Sequence, residues 1–298
     1  MEMRQLRYFV SAATHLNFTK AAKECFIVQT AMTQQIANLE KELGVKLFER
    51  QSRGLSLTAA GEAFLTDARE ILARSQRSRE RMAAFQGGYT DLLQLGHHGE
   101  LFRRDLVQAL TAFRTRSPQT KVMLYQLPRS ELLSGIREGQ LDLAFMTYTD
   151  NLSKYEKWVD WRILGEEEMV LAVSADHPLA GRKEVSMAEV DQYPRIWLFW
   201  GSEEGRPIGM PEEGSDARVY GAVEDHASME VLIESGYCVG LWTRRVCQNR
   251  ERAGLCFIPV TDFPQLAEAT ALWHRGELSP SGELFLQLME EQFAGERP

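Results

Sequence analysis

Residues 17–50 read NFTKAAKECFIVQTAMTQQIANLEKELGVKLFER, and two amphipathic patterns lie within them on either side of a short break. Ala21, Ala22 and Cys25 form the apolar side of the first, while Met32, Ile36, Leu39 and Leu43 recur at helical spacing in the second. Two such helices so close together predict a helix-turn-helix. Small side chains at Ala21 and Ala22 let the first helix lie close across the second. The second helix carries Gln29, Thr30, Thr33, Gln34 and Asn38 on its other face. All five are uncharged groups that hydrogen-bond base edges and phosphates.

Three phrases stand here in order and without gaps: F-T-x-A-A at 18–22, Q-x-A-x-T-x-Q-I-x-x-L-E at 29–40 and L-G-x-x-L-F-x-R at 43–50. On these phrases the segment resembles the N-terminal winged helix-turn-helix of LysR-type transcriptional regulators. The resemblance implies double-stranded DNA, with a pseudo-palindromic operator, as a partner, and Thr19, Gln29, Thr30, Thr33, Gln34, Asn38, Arg50 and Arg53 as DNA-binding residues. Residues 50–57 are expected to form a short hairpin, the wing, with Arg53 at its tip, where a narrow minor groove attracts arginine. Two departures from the family pattern matter: Val28 stands where a capping Ser is usual, and Thr30 where Pro is common. A missing cap costs about 1 kcal/mol, so this helix start is expected to lean on Gln29 or Thr30, or to fray until DNA holds it.

Charge is divided along the chain. Residues 1–88 hold 13 Lys and Arg against 9 Asp and Glu, whereas residues 89–298 hold 21 against 33. A basic head and an acidic remainder fit a protein that meets phosphate at one end only. The length of 298 residues predicts two domains. No apolar run exceeds five residues, and Arg4 and Arg7 interrupt the N-terminal apolar stretch, so neither a membrane span nor a signal peptide is expected and the setting reads as cytoplasmic. Cys25, Cys238, Cys247 and Cys256 form no C-x-x-C pair and suggest neither a disulfide framework nor a zinc site.

Leu6, Phe9, Val10 and Ala13 predict a first helix packed beneath the other two. Thr58 starts a long helix ending near Phe85, along which Phe64, Ala68, Ile71, Ser75, Ser78, Met82 and Phe85 repeat at about seven residues. It resembles the family's linker helix, which pairs with a second subunit and sets the spacing of two DNA-reading heads, in a homodimer or homotetramer. Gly87-Gly88 then marks a break. The boundaries are 1–58 for the winged helix-turn-helix, 59–88 for the linker and 89–298 for an effector domain.

Beyond Tyr89 strands alternate with helices, which implies a parallel sheet with right-handed crossovers. Strands are expected near 92–95, 121–126, 141–146, 169–173, 196–200, 239–242, 256–260 and 271–274, and helices near 101–114, 130–138, 227–235 and 281–293. The phrases EGQLDLA at 138–144, HPLA at 177–180 and ESGYCVG at 234–240 are similar to the family's two-lobed α/β effector domain, which is like type 2 periplasmic binding proteins. The first lobe is then about 89–163 with 266–298, and the second about 164–265.

Ligands of open α/β sheets bind beyond strand carboxyl ends. That rule, with the family resemblance, selects His98, Gly99, Glu100, Pro128, Arg129, Ser130, Met146, Tyr148, Trp200, Ser202 and Trp242 as the lining of an effector cleft. Structural uses compete at these positions: Ser130 and Ser202 also suit caps, Trp200 and Trp242 a core. Glu100, Glu203-Glu204 and Glu212-Glu213 beside Phe145, Tyr148, Phe199 and Trp242 predict a neutral or cationic effector. His97-His98 lacks a third ligand at metal spacing, so no metal and no cofactor is expected. Cys238, Cys247 and Cys256, nine residues apart, leave a redox-responsive regulator as an alternative. An α/β enzyme fused to a DNA-binding domain is another, although no catalytic residue is nominated, because G-x-S-x-G, phosphate-loop and nucleotide fingerprints are missing. An architectural DNA-binding protein is the third. RNA polymerase is a further partner that the resemblance implies.

Overall fold

The computed structural model describes residues 1–51, 54–99, 102–148, 152–198, 210, 218–248, 254–263 and 267–294. Three helices open the chain: α1 (Met3–His15), α2 (Phe18–Glu24) and α3 (Gln29–Leu43). Asn17 starts α2 by accepting the Thr19 and Lys20 amides on Oδ1 at 2.9 and 3.1 Å. Leu6, Phe9, Ala21, Ala22, Met32, Ile36 and Leu39 are buried together in one core, as their helical spacing predicts. Phe9 anchors that core, its ring 5.5 Å from Phe48 and 5.0 Å from Phe64.

The wing pairs β1 (Phe48–Gln51) with β2 (Gly54–Leu57) in antiparallel register, Phe48 opposite Leu57. It leads into α4 (Ala59–Gln86), capped by Thr58, whose hydroxyl accepts the Gly61 amide at 2.9 Å and donates to the Lys46 carbonyl at 2.6 Å. Gly61 is required there, since a Cβ would stand 2.1 Å from the Leu47 carbonyl oxygen. Along the seven-residue stripe of α4, Ala68 is buried, whereas Ile71, Met82 and Phe85 are exposed.

Packing divides the chain into two units, Met1–Gly87 with Arg137–Gln140, and the remainder. In the second unit one sheet is ordered β4-β3-β5-β12-β6, from β3 (Asp91–His97), β4 (Thr120–Gln126), β5 (Leu143–Tyr148), β6 (Val159–Glu167) and β12 (Ala267–His274). The other is ordered β11-β7-β10-β8-β9, from β7 (Met169–Ser174), β8 (Arg195–Leu198), β9 (Val219–Val223), β10 (Val239–Thr243) and β11 (Leu255–Pro259). The helices are α5 (Arg103–Arg116), α6 (Arg129–Arg137), α7 (Met187–Val190), α8 (His226–Glu234), α9 (Arg244–Gln248) and α10 (Pro280–Ala294).

Both sheets are mixed, which corrects the parallel sheet expected from alternation. β3 pairs in parallel with β4 and β5, but β12 runs antiparallel to β5 and β6. The reason is connectivity: β12 enters the first sheet only when the chain returns from the second, and it lies reversed between β5 and β6, which run parallel to each other. In the second sheet β7 is likewise antiparallel to β10 and β11. A shared core joins the lobes, with Phe102, Phe113, Phe145 and Phe285 from the first and Val170, Ile196, Met229 and Trp242 from the second. Arg245 ties the same region together, its Nε donating to Glu167 and one terminal nitrogen to Asp105, both at 2.8 Å, with the guanidinium 3.8 Å from the Phe293 ring centre. Burial nonetheless holds Glu167 above the usual carboxylate range despite Arg245 beside it.

Candidate nucleic-acid interface and effector cleft

α3 buries Met32, Ile36, Leu39 and Glu40, and turns Gln29, Thr30, Thr33, Gln34 and Asn38 to solvent as one stripe. Two bonds set the polarity of that stripe. The Thr33 hydroxyl donates to the Gln29 carbonyl at 3.0 Å, which leaves its oxygen free to accept. Gln34 Nε2 donates to Asn38 Oδ1 at 2.9 Å, which aligns one amide against the other. Thr19 is exposed in the first turn of α2, beside amides that Asn17 already satisfies. Arg50 lies in β1 opposite Leu55, with only its backbone described, and Arg53 falls outside the described residues.

Val28 occupies the N-cap of α3 with extended backbone (φ −79°, ψ 148°) and makes no capping bond. Neither Gln29 nor Thr30 replaces it as a cap, because both already have helical backbone and point outward, so of the expected alternatives the substitute cap is not the one realised. The helix start therefore forgoes about 1 kcal/mol that a Ser would supply.

Glu40, which closes the phrase at 29–40 but carries no role in the sequence reading, fastens this helix to the wing. Its Oε1 accepts the amides of Leu47 and Phe48 at 2.9 and 3.2 Å, and its Oε2 accepts Lys46 Nζ at 2.6 Å. Burial opposes ionisation of Glu40, yet the Lys46 bond, the two amides and the Lys46 charge prevail and hold its pKa below the usual value. The signal that would have found it is a carboxylate on the buried side of a helix, one position after Leu39.

In the second unit the strand-end rule brings several nominated residues together. His97 ends β3 and His98 follows it, with His97 Nδ1 2.9 Å from the Gly99 carbonyl oxygen and the His98 amide donating to the Phe145 carbonyl at 2.9 Å. Gly99 has φ +62°, and a Cβ on it would lie 3.4 Å from the His226 ring at the start of α8, so the two lobes meet across this glycine. Arg129 is buried at the start of α6 and donates to the Thr147 carbonyl at 3.1 Å. Burial, then the charges of Arg129, His226 and His97, push the His98 imidazole down to about 3 and keep it neutral at pH 7. Pro128 is half-buried and Ser130 exposed, one residue into α6.

Other nominated positions are placed differently. Met146 is fully buried in a separate core with Leu132, Ile136 and Leu272, and Phe145 is equally buried against Phe102 and Phe285; both faces of β5 are covered, so neither offers surface to a ligand. Trp242 is also core, donating its indole N–H to Met229 Sδ at 3.0 Å, with the His226 ring 5.8 Å from its own. Tyr148 lies in β5 with only its backbone described, and Glu100, Phe199, Trp200, Ser202, Glu203, Glu204, Glu212 and Glu213 lie outside the described residues. His226 was missed because β9, the strand before it, was not recognised.

Cys238 and Cys247 are buried, and Cys25 and Cys256 half-buried. Cys256 lies on β11 and Cys238 immediately precedes β10, and β7 runs between these strands. Two strand spacings put the pair roughly 10 Å apart, beyond disulfide reach. Burial pushes the Cys238 thiol up to about 11, which disfavours a reactive thiolate. Among the described residues no group of three or more His, Cys, Asp or Glu converges on a metal position, and no helix is long and apolar enough to cross a membrane.

Comparison with known proteins gives this geometry its context. Residues 3–62 match the family profile described as "Bacterial regulatory helix-turn-helix protein, lysR family", and residues 86–294 match "LysR substrate binding domain". The chain is 31% identical to the HTH-type transcriptional regulator BudR of Raoultella terrigena, over 97% of this chain and 100% of that protein. It is also 31% identical to the Hca operon transcriptional activator HcaR of Escherichia coli K12, over 99% of each. Among solved structures, CbnR, a LysR family transcriptional regulator, superposes with a TM-score of 0.65 at 25% identity, covering 98% of this chain and 99% of that one. Full-length CbnR complexed with its target DNA gives 0.64 at 25% identity, with the same coverage. With both profiles spanning nearly its whole length, the chain belongs to the LysR family of DNA-binding transcriptional regulators, with a helix-turn-helix head and a two-lobed effector-binding domain.

Proposed function

We propose that α3 enters the major groove of a pseudo-palindromic operator, and that a small molecule held between the lobes alters how a homodimer or homotetramer is arranged on that DNA. The stripe on α3 carries this reading: Gln29, Thr30, Thr33, Gln34 and Asn38 are exposed hydrogen-bonding groups on a helix whose opposite side is committed to the core. Gln34 keeps one N–H and its Oε1 for an adenine edge after its bond to Asn38. Thr19 at the start of α2, with Arg50 and Arg53, serves the phosphates and the minor groove. Exposed Ile71, Met82 and Phe85 on α4 supply the pairing surface for a second copy. The setting is the cytoplasm, RNA polymerase is the downstream partner, and no catalytic step is called for.

The cleft chemistry favours an anion. Arg129 and the imidazoles of His97, His98 and His226 are gathered there, with His98 held neutral and Asp225 beside His226, so the Arg129 guanidinium carries the preference for an anion; Glu100, Glu203, Glu204, Glu212 and Glu213, behind the expectation of a neutral or cationic effector, lie outside the described residues. Thermal-shift titration with matched aromatic amine, neutral and carboxylate compounds tests this, since a ligand stabilises the state that binds it. The carboxylate should raise the midpoint and change the mobility of the protein–DNA complex, and Arg129→Met should abolish both effects. Stabilisation by the amine alone, or a carboxylate response untouched by Arg129→Met, would contradict the reading.

A further inference from the structure

The residue just ahead of the recognition stripe departs from the chemistry expected of it. Val28 holds the N-cap of α3, a position that favours Ser, Thr, Asp or Asn, makes no capping bond, and is 68% exposed. Its carbonyl is already used, accepting the Met32 amide at 3.1 Å, so the isopropyl group is what the position presents. Phe26, exposed two residues earlier with φ +55°, extends the apolar surface along the same turn.

We propose that Val28 is a specificity residue whose isopropyl group packs on a thymine C5-methyl in each operator half-site. The proposal rests on α3 lying in the major groove. The first residues of a recognition helix meet base edges, and Val28 directly precedes Gln29 at that end. The largest apolar group that base pairs present in the groove is the thymine methyl. A valine pressed against N7, O6 or a phosphate would strip water from those groups and return no hydrogen bond, whereas against a methyl it removes apolar surface from both partners. The sequence preference added is thus for T at the base pair that Val28 meets, beside the pairs read by Gln29 and Thr33.

The test uses the full chain and an operator recovered by selection from random DNA. Thymines are replaced one at a time by deoxyuridine, which deletes only the C5-methyl, and binding is titrated for wild type, Val28→Ser and Val28→Thr. One thymine per half-site should show a wild-type preference over deoxyuridine of about four-fold, the transfer free energy of a single methyl-sized group. Val28→Ser should bind the two forms equally while its melting temperature holds or rises through the restored cap, and Val28→Thr, which keeps one methyl, should fall between. Equal wild-type affinity for every thymine and deoxyuridine pair overturns the proposal and leaves the recognition-helix reading intact, as does a preference that Val28→Ser retains in full. An operator preference that also survives Thr33→Ala and Gln34→Ala overturns both.

Discussion

Glu40→Ala should loosen the wing from the recognition helix. The carboxylate accepts the amides of Leu47 and Phe48, and both of those residues are buried. Alanine leaves two buried N–H groups without an acceptor, each costing about 1–3 kcal/mol. Lys46 remains largely in water and adds little. The expected loss is about 2–6 kcal/mol from the head, a large share of the roughly 5–15 kcal/mol typical of a domain. Hydrogen exchange on the full chain reads this directly, because protection of the Leu47 and Phe48 amides should fall while that of β3 and β5 is unchanged. Glu40→Gln keeps an acceptor and should cost about 1 kcal/mol. Because the native pKa of Glu40 is depressed, its contribution is present above the unfolded carboxylate value and is lost as pH falls through the native one. Wild-type protection of both amides in Glu40→Ala would refute the reasoning.

Three further outcomes follow from the same structure. Arg245→Ala strands the buried carboxylates of Asp105 and Glu167 and should destabilise the effector unit by about 3–5 kcal/mol in urea unfolding; a loss under about 1 kcal/mol would show that the clamp is dispensable. Ile71→Asp puts a charge on the exposed α4 stripe and should leave monomers in sedimentation, so a persistent dimer would move the pairing surface elsewhere. His98 has a folded pKa of about 3 against an unfolded value near 6.5, so the unfolded chain binds the extra proton and stability should decline as pH drops from about 6.5 toward 3. His98→Asn should flatten that part of the midpoint-against-pH curve, and an unchanged slope would contradict the assignment.

Helical spacing made the head legible: Leu6, Phe9, Met32, Ile36 and Leu39 are all buried where their periodicity puts them. The role of Glu40 is not legible in its phrase because its partners at 47 and 48 come near only once the wing folds back. In the effector domain the strands with continuous apolar runs were found, as at Met169–Ser174, whereas Val159–Glu167 and Val219–Val223 were missed. The former is an edge strand interrupted by charges, and the latter exposes Val219 and Tyr220 and centres on a glycine. The cleft suffered accordingly. Strand ends led to His98, Gly99 and Arg129, but losing β9 hid His226. Met146 and Trp242 show the limit of the rule, since a central strand covered on both faces buries even its last residues.

Base reading by α3 is measured most directly by selection of bound sites from random DNA with wild type and Gln34→Ala. Wild type should return two inverted half-sites whose centres are separated by whole turns of the duplex. Gln34→Ala should lose preference at one base pair in each half-site, a discrimination of about 1–3 kcal/mol, and keep it at the others. The same motif, with undiminished preference at every position, would contradict the assignment of this helix to the major groove.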